Sequence, residues 1–247
     1  MARPKAPILA DAATVPHPAD SDPPRQSVEA IAQDIALAII ERRLPPGTRL
    51  REEALGRVYA VSRTKIRAAL LSLSKDKLIE IVPDKGAFVS KPGVQEAREV
   101  FSVRRLLEAE VVRLFVQGAR PSHYRMLEQH IRFERATLAG SATGSLRERL
   151  LGDFHVQLAG VAGNTVLAQL VTELVARCSL IATLYQSDND SACSSDEHDD
   201  FLRTARSGDT PAAVECMSQH LHRVEATLRL EPIASERRLD LVKALLT

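Results

Sequence analysis

The chain has 247 residues, of which 45% are apolar but only 4% are aromatic, and it contains no Trp. A core poor in aromatic side chains must consist mainly of Leu, Val, Ala and Ile, which favours packed helices, and the length allows two modest domains. The formal net charge of +1 neither favours nor excludes nucleic acid as a partner. The three cysteines, Cys178, Cys193 and Cys216, form no CxxC pair and indicate no disulfide framework.

The first 27 residues contain six prolines among Ala and Asp, and they are predicted to be a flexible extension. This stretch lacks the continuous apolar core of a signal peptide. No apolar run along the chain is expected to approach membrane-spanning length. The pattern therefore predicts a soluble, cytoplasmic protein without a membrane partner.

Apolar residues at helical spacing predict a first amphipathic helix from Val28 to Arg43. The segment Leu44-Pro45-Pro46-Gly47 must end this helix, because proline cannot continue the backbone hydrogen bonds. A second, shorter helix is predicted over Glu52 to Tyr59, and the turn Ala60-Val61 leads into a third. Two short helices meeting at a tight corner are typical of a helix-turn-helix.

The third helix is predicted to begin at Ser62, a residue type that commonly caps helix N-termini. One buried stripe is expected at i, i+3, i+4 and i+7, formed by Ile66, Ala69, Leu70 and Leu73. Arg63, Thr64 and Arg67 point away from that stripe. A helix that is apolar behind and basic in front suits the major groove of DNA, although an ordinary solvated surface helix has the same pattern.

A short strand is predicted over Leu78 to Val82, and a second over Ala87 to Ser90 after the turn Pro83-Asp84-Lys85-Gly86. A hairpin that follows three helices predicts a winged helix-turn-helix over residues 28–91. Positive charge concentrates in this part of the chain, with 12 Lys/Arg against 8 Asp/Glu. Residues 92–247 have the opposite balance, with 18 Lys/Arg against 21 Asp/Glu.

Pro92-Gly93 marks the predicted domain boundary, after which the pattern is helical. Breaks at Gly, Pro and Ser predict helices over 94–117, 121–139, 145–162, 165–186, 194–206 and 210–229, and then an amphipathic segment over 234–246. Two apolar rows are long enough to serve both a core and a partner surface. They are Leu106-Leu107-Val111-Leu114 and Leu167-Leu170-Val171-Leu174. The predicted fold is mainly α, with a winged helix-turn-helix that carries a small β-hairpin and a C-terminal antiparallel helical bundle.

Five linked motifs in the first domain resemble, in order and spacing, the GntR family of bacterial transcription regulators. They are Leu44-Pro45-Pro46-Gly47-Thr48-Arg49-Leu50, Val61-Ser62-Arg63-Thr64, Ile66-Arg67-Ala68-Ala69-Leu70, Leu78-Ile79 and Lys85-Gly86-Ala87-Phe88-Val89. The resemblance implies a homodimeric regulator, most commonly a repressor and not an enzyme, that binds a double-stranded DNA operator with an inverted repeat. It implies DNA contacts from Arg51, Ser62, Arg63, Thr64, Lys65, Arg67, Lys85 and Gly86. Ala60 and Lys65 stand where the family usually has glycine and proline.

The second domain resembles the ligand-sensing FCD domain of the FadR-type subfamily. Its motifs are Val103-Arg104 with Glu108, Asp153-Phe154-His155, Ala162-Gly163-Asn164, Glu197-His198 and His220. The resemblance implies a small organic or sugar acid as effector and a divalent metal, Zn²⁺ or Ni²⁺, held by His155, His198 and His220. Leu151 stands where the subfamily has a metal-binding aspartate, which weakens the predicted site. Asp153 is a poor substitute, because it points about 200° around the helix from His155.

Other functions of the bundle stay open at this point. The three histidines could instead line a metal-free effector pocket or form the open catalytic site of a metal-dependent enzyme, although the chain has no HExxH motif and no nucleophile elbow. The bundle could also be a structural dimerisation module. Arg104 either binds the effector's carboxylate or pairs with Glu108 at i+4. The remaining histidines are expected to be solvated, and they are His17, His123, His130 and His222.

Overall fold

A computed structural model of the protein describes residues 27–138, 144–185 and 195–229 together with Leu245, with the backbone alone at 138 and 144–148. The predicted extension over residues 1–27 lies outside the described residues except for Ser27, and the segment 234–246 does so except for Leu245. The predicted fold class is confirmed, because a small helical head with an antiparallel sheet precedes a larger bundle of helices.

The head contains three helices and three strands. They are α1 (Val28–Ile40), β1 (Arg49–Leu50), α2 (Glu52–Tyr59), α3 (Arg63–Lys75), β2 (Ile79–Val82) and β3 (Gly86–Val89). The strands form an antiparallel sheet in the order β1-β3-β2, so the predicted hairpin gains a third strand. Sequence reasoning missed β1, because two residues are too few to show the alternation of a strand.

The first helix ends at Ile40, so the prediction that it reaches Arg43 is wrong. Glu41 closes the helix, and Arg42 turns the chain with a φ of +58°. The N–H of Leu44 then donates to the carbonyl of Ala38 at 2.9 Å. The chain therefore leaves the helix before the prolines that were expected to end it.

The helix-turn-helix corner forms where it was predicted. Ser62 caps α3, its Oγ accepting a hydrogen bond from the N–H of Lys65 at 3.3 Å, and the four predicted stripe residues are buried. Ala60 adopts the left-handed conformation, with φ +54° and ψ +38°. A residue with a Cβ pays about 1–2 kcal/mol for that conformation, which explains the glycine usual at this corner.

The bundle contains six helices among the described residues. They are α4 (Val94–Gly118), α5 (Pro121–Leu138), α6 (Gly144–Val161), α7 (Thr165–Tyr185), α8 (Ser195–Arg206) and α9 (Thr210–Ala226). Each end lies within three residues of its predicted position. The long helix α4 packs against α6, α7 and α9, and Phe115, Phe154 and Phe201 are fully buried between the helices.

The helix α7 connects the bundle to the head. Most of its buried side chains face the bundle, but Leu180 belongs to the hydrophobic core of the head, as does Leu245. Arg42 donates to the carbonyl of Ala182 on α7 at 3.4 Å. On the neighbouring helix α6, Arg149 pairs with Glu41 at the end of α1. The head is therefore packed against the bundle by both apolar and charged contacts.

The same helix is long and apolar enough to cross a membrane, judged by length and composition alone. The expectation that no apolar run approaches that length is therefore wrong for Thr165–Tyr185. In the structure, 44% of its most apolar window is buried inside the protein, where it packs against α4 and α6. Packing in the core therefore accounts for part of its hydropathy.

Candidate functional site

Three histidines from three different helices converge inside the bundle. His155 lies on α6, His198 on α8 and His220 on α9, and each is at most 3% exposed. Their ligand-capable nitrogens all lie within 4.8 Å of one another. The structure thus brings together the three histidines that the sequence singled out.

Each imidazole is held by a glutamate at its Nδ1 atom. The pairs are His155–Glu108 at 2.6 Å, His198–Glu134 at 3.2 Å and His220–Glu197 at 2.7 Å. An ionised carboxylate can only accept a hydrogen bond, so each Nδ1 carries the proton and donates it. This tautomer leaves a lone pair on each Nε2, and the carboxylates hold the rings in place as they do behind metal-bound histidines.

Burial favours the neutral form of His155 and His198. It lowers the pKa of His155 to about 3, even though the carboxylate of Glu108 acts in the opposite direction. Burial also lowers the pKa of His198, again against the effect of its glutamate. Neutral imidazole is the form that binds a metal, so no proton must leave these two rings at pH 7 before coordination.

The spacing of the nitrogens fits a bound cation. The Nε2 atoms of His155 and His220 are 3.3 Å apart. Two lone pairs facing each other at that distance repel, and a cation between them relieves the repulsion. Zn–N bonds of about 2.0–2.1 Å at a tetrahedral angle place two ligand nitrogens about 3.3–3.4 Å apart. Three imidazoles that converge in this way are a donor set that suits Zn²⁺ and similar divalent metals.

No carboxylate joins this group among the described residues. Leu151, one helical turn before His155, is buried and apolar. Asp153 is 46% exposed at its side chain and lies 4.0 Å from Arg149 on its own helix. Burial raises the pKa of Asp153, partly offset by Arg149 and His130. Three histidines therefore leave the remaining coordination positions to water or to a ligand.

A buried arginine lies directly behind the site. Arg104 is 4% exposed, and its Nε donates to Oε1 of Glu108, whose Oε2 accepts from His155. Burial alone would raise the pKa of Glu108, but Arg104 and His155 lower it to about 2, so this carboxylate is ionised at pH 7. The Nη2 atom of Arg104 is buried without a hydrogen bond of good geometry in the described part of the chain, although the thiol of Cys178 interacts with the guanidinium. The predicted pairing of Arg104 with Glu108 is present.

Sequence reasoning missed His130, whose expected exposure to solvent is wrong. Its Nε2 lies 3.0 Å from the carbonyl oxygen of Leu150 and 3.1 Å from Glu134, and its side chain is only 9% exposed. Burial lowers the pKa of His130, but the hydrogen bonds to Glu134 and Leu150 outweigh this effect and raise it. The i, i+4 spacing of His130 and Glu134 was the available signal.

The other histidines differ among themselves. His222 is exposed, as expected. His123 is half-buried, and its Nδ1 accepts a hydrogen bond from the N–H of Arg120 at 3.2 Å, so its expected solvation is only partial. His17 lies outside the described residues.

The predicted DNA-contacting residues lie at the starts of α2 and α3 and at the tip of the wing. Ser62, Arg63, Thr64 and Arg67 are exposed and Lys65 is half-buried. Arg51, at the start of α2, and the wing residues Lys85 and Gly86 are also exposed. A φ of +97° at Gly86 requires a residue without a side chain to form this wing turn easily.

Two glutamates of α2, which sequence reasoning missed, contact the arginines of α3. Arg67 donates from Nε and Nη2 to the two carboxylate oxygens of Glu52, each at 3.1 Å. Arg63 approaches Glu53 less closely, with 3.6 Å between Nη2 and Oε2. Arg67 and Glu52 are 15 positions apart and lie on different helices. The spacing rules for a single helix therefore do not predict such a pair.

The buried carboxylate of Glu108 yields a prediction about stability. Replacing Glu108 with Ala leaves Arg104 buried without its partner and His155 without its acceptor, so the free energy of unfolding should fall by about 3–5 kcal/mol. Glu110→Ala on the same helix removes an exposed carboxylate, paired with Arg113, and should change it by less than about 0.5 kcal/mol. Denaturant titration followed by circular dichroism measures both. Equal, small losses for the two variants would contradict the proposed role of Glu108.

Two family models match the chain. The first, described as "FCD domain", matches residues 99–223, and the second, described as "Bacterial regulatory proteins, gntR family", matches residues 27–89. The first match alone spans half of the chain.

Curated relatives align with most of the chain. The transcriptional repressor RspR of Escherichia coli K12 is 24% identical over 77% of this chain and 84% of its own length. The transcriptional repressor NanR of Edwardsiella tarda is 26% identical over 81% of this chain and 84% of its own length.

Solved structures share the fold. A GntR regulator from Rhodococcus sp. RHA1 superposes with a TM-score of 0.69 at 20% identity, and E. coli McbR/YncC with 0.68 at 17% identity. Each comparison covers 81% of this chain and 95% of the other. The family matches and the curated relatives identify a transcriptional regulator rather than an enzyme. The chain belongs to the GntR family of bacterial regulatory proteins and carries the FCD domain in its helical bundle.

Proposed function

We propose that this regulator is a repressor whose bundle binds a small anionic effector together with a divalent metal, and whose head binds an operator. The observation that carries the proposal is the buried group of three imidazoles, one of which shares the carboxylate of Glu108 with the buried Arg104. Relatives such as RspR and NanR are named repressors, which supports the sign of the regulation. Binding at the bundle must differ between two states of the head for the switch to operate.

The proposed operator contact is the exposed surface of α3 with the wing. Arg63 and Arg67 are the candidates for reading guanine, because a guanidinium can donate two hydrogen bonds to the O6 and N7 atoms of this base. Ser62, Thr64 and Lys65 lie beside them at the start of α3, and are proposed to contact phosphates and neighbouring bases. Arg51, Lys85 and Gly86 complete the proposed contact surface.

Operator binding is tested by removing one arginine. Arg67→Ala should weaken binding to DNA from the protein's own upstream region by roughly 5–100-fold, because a base contact is lost. Arg125→Ala removes an exposed arginine of α5 in the bundle and should leave the affinity unchanged. Fluorescence anisotropy with labelled duplexes at fixed salt measures both. If Arg67→Ala binds as tightly as the unaltered protein, α3 does not read the operator through this residue.

In the proposed metal site, His155, His198 and His220 hold the ion through their Nε2 atoms. A bound divalent ion supplies positive charge and open coordination positions for an anionic ligand. The three glutamates keep the rings oriented, and the apolar Leu151 leaves one position available to the effector's carboxylate. The Nη2 atom of Arg104 is a candidate second contact for the same anion. In this proposal one carboxylate group of the effector contacts both the metal and Arg104.

Metal binding is tested on protein stripped of metal and then reconstituted with Zn²⁺. Zinc at 100 times its dissociation constant should stabilise the fold by about 2.7 kcal/mol, which corresponds to a rise in melting temperature of roughly 5–10 °C. His198→Ala should abolish the rise, whereas His222→Ala, an exposed histidine of α9, should keep it. Differential scanning calorimetry and elemental analysis give the readouts. Absence of bound metal after reconstitution would favour a metal-free effector pocket.

The regulator is proposed to act as a homodimer on an inverted repeat in the bacterial cytoplasm. Four large apolar side chains are exposed on α4 and α7, two helices that pack against each other. They are Val103, Leu106, Val166 and Leu170, with exposures of 44%, 70%, 67% and 43%. A second copy that covers this surface would bury it and would relate two heads by a two-fold axis, as an inverted repeat requires.

The dimer is tested by placing a charge on this surface. Leu106→Glu should shift the protein from dimer to monomer by at least tenfold in dissociation constant, because an unpaired carboxylate would be buried at the interface. Phe133→Glu changes an equally apolar, 58% exposed residue on α5 and should leave the dimer intact. Analytical ultracentrifugation measures both. A monomeric unaltered protein, or a dimer that tolerates Leu106→Glu, contradicts this interface.

A further inference from the structure

The pair formed by Arg67 and Glu52 joins the two helices of the helix-turn-helix. Glu52 is the first residue of α2, and Arg67 lies in the second turn of α3. Both carboxylate oxygens of Glu52 accept hydrogen bonds from the guanidinium, each at 3.1 Å. Two parallel hydrogen bonds fix the plane of a guanidinium as well as its position.

The pattern of these bonds decides which edge of Arg67 faces outward. A guanidinium has five N–H groups, and here the edge formed by Nε and Nη2 is the one engaged by Glu52. The other edge, formed by Nη1 and Nη2, is turned away from the carboxylate. This second edge presents two N–H groups side by side, the arrangement that matches the O6 and N7 atoms of guanine. Glu52 and guanine can therefore bind the same guanidinium at the same time.

The neighbouring pair does not have this geometry. Arg63 and Glu53 are joined by a single approach of 3.6 Å, and Glu53 also accepts a hydrogen bond from Arg57. A single long contact attracts the arginine but does not fix its plane. Glu52 is also the more sheltered of the two carboxylates, with a side-chain exposure of 33% against 63% for Glu53. Only the first pair is therefore suited to hold an arginine in one orientation.

We propose that Glu52 is a positioning residue that holds Arg67 edge-on for guanine, so that this acidic residue contributes to operator specificity without contacting a base. The inference rests on the proposed role of Arg67 as a base-reading residue. An arginine without a carboxylate partner has many rotamers and can donate to phosphates at any sequence. An arginine already held by Glu52 loses less conformational entropy when it binds guanine. Glu52 thus lowers affinity for DNA in general through its charge while it raises discrimination at one base pair.

The test is selection of bound duplexes from a random double-stranded DNA library, with sequencing of the enriched pool. The unaltered protein defines a consensus, and Arg67→Ala identifies the base pair read by Arg67. Glu52→Gln keeps the shape of the side chain but removes its charge, and Glu52→Asp keeps the charge but shortens its reach. Both variants should relax the preference at that same base pair by roughly 5–50-fold. Glu29→Gln, an exposed carboxylate at the start of α1, is the control for loss of one negative charge in the head.

The outcomes separate the inference from the function on which it rests. If the unaltered protein enriches no consensus, sequence-specific recognition itself fails. If a consensus appears but Arg67→Ala relaxes no position, recognition stands and the inference is wrong. The inference is also wrong if both Glu52 variants keep the preference at the Arg67 base pair, or if Glu52→Gln only strengthens binding to all duplexes equally. The melting temperature of each variant verifies that it is folded. If Glu52→Gln does not fold, the result for Glu52→Asp tests the inference.

Discussion

The interior of the bundle depends on one buried carboxylate, Glu108, which accepts hydrogen bonds from Arg104 and His155 at once. An arginine and a glutamate cost several kcal/mol each when they are removed from water, so they are retained in a core only as mutual partners. Here the guanidinium keeps the carboxylate ionised, and the carboxylate sets the tautomer of the imidazole. Through Glu108, Arg104 therefore also influences the direction in which the Nε2 lone pair of His155 points.

The other two imidazoles repeat this arrangement with glutamates from different helices. Glu134 of α5 holds His198 of α8, and Glu197 of α8 holds His220 of α9. A helix that moved would therefore shift a carboxylate and rotate the ring that it holds. Rings fixed in this way bind a ligand with little reorganisation, and they also tie the positions of the helices to what is bound between them.

Much of the fold could be predicted from sequence because local signals were strong. Proline, glycine and capping residues marked the ends of most helices, and the stripe Ile66-Ala69-Leu70-Leu73 has an unmistakable period. The errors arose where distant contacts decided the outcome. A tertiary turn ended α1 before its prolines, β1 exists only because β3 pairs with it, and the apolar length of α7 reflects in part its packing in the core. Likewise the three histidines followed from a resemblance, whereas the contact of Glu134 with His198 and that of Glu52 with Arg67 join different helices, which no local pattern reveals.

The position of Leu180 and Leu245 in the core of the head has a consequence for how the protein is made. The last strand of the head ends at Val89, so a ribosome must add about ninety more residues before Leu180 is available. At a bacterial rate of up to about 20 residues per second, that delay is several seconds, and Leu245 is translated later still. The head therefore completes its core after the bundle has been translated. A nascent chain that carries only the head has an incomplete core, so the packing of the head is finished only after the helices that follow it have been translated.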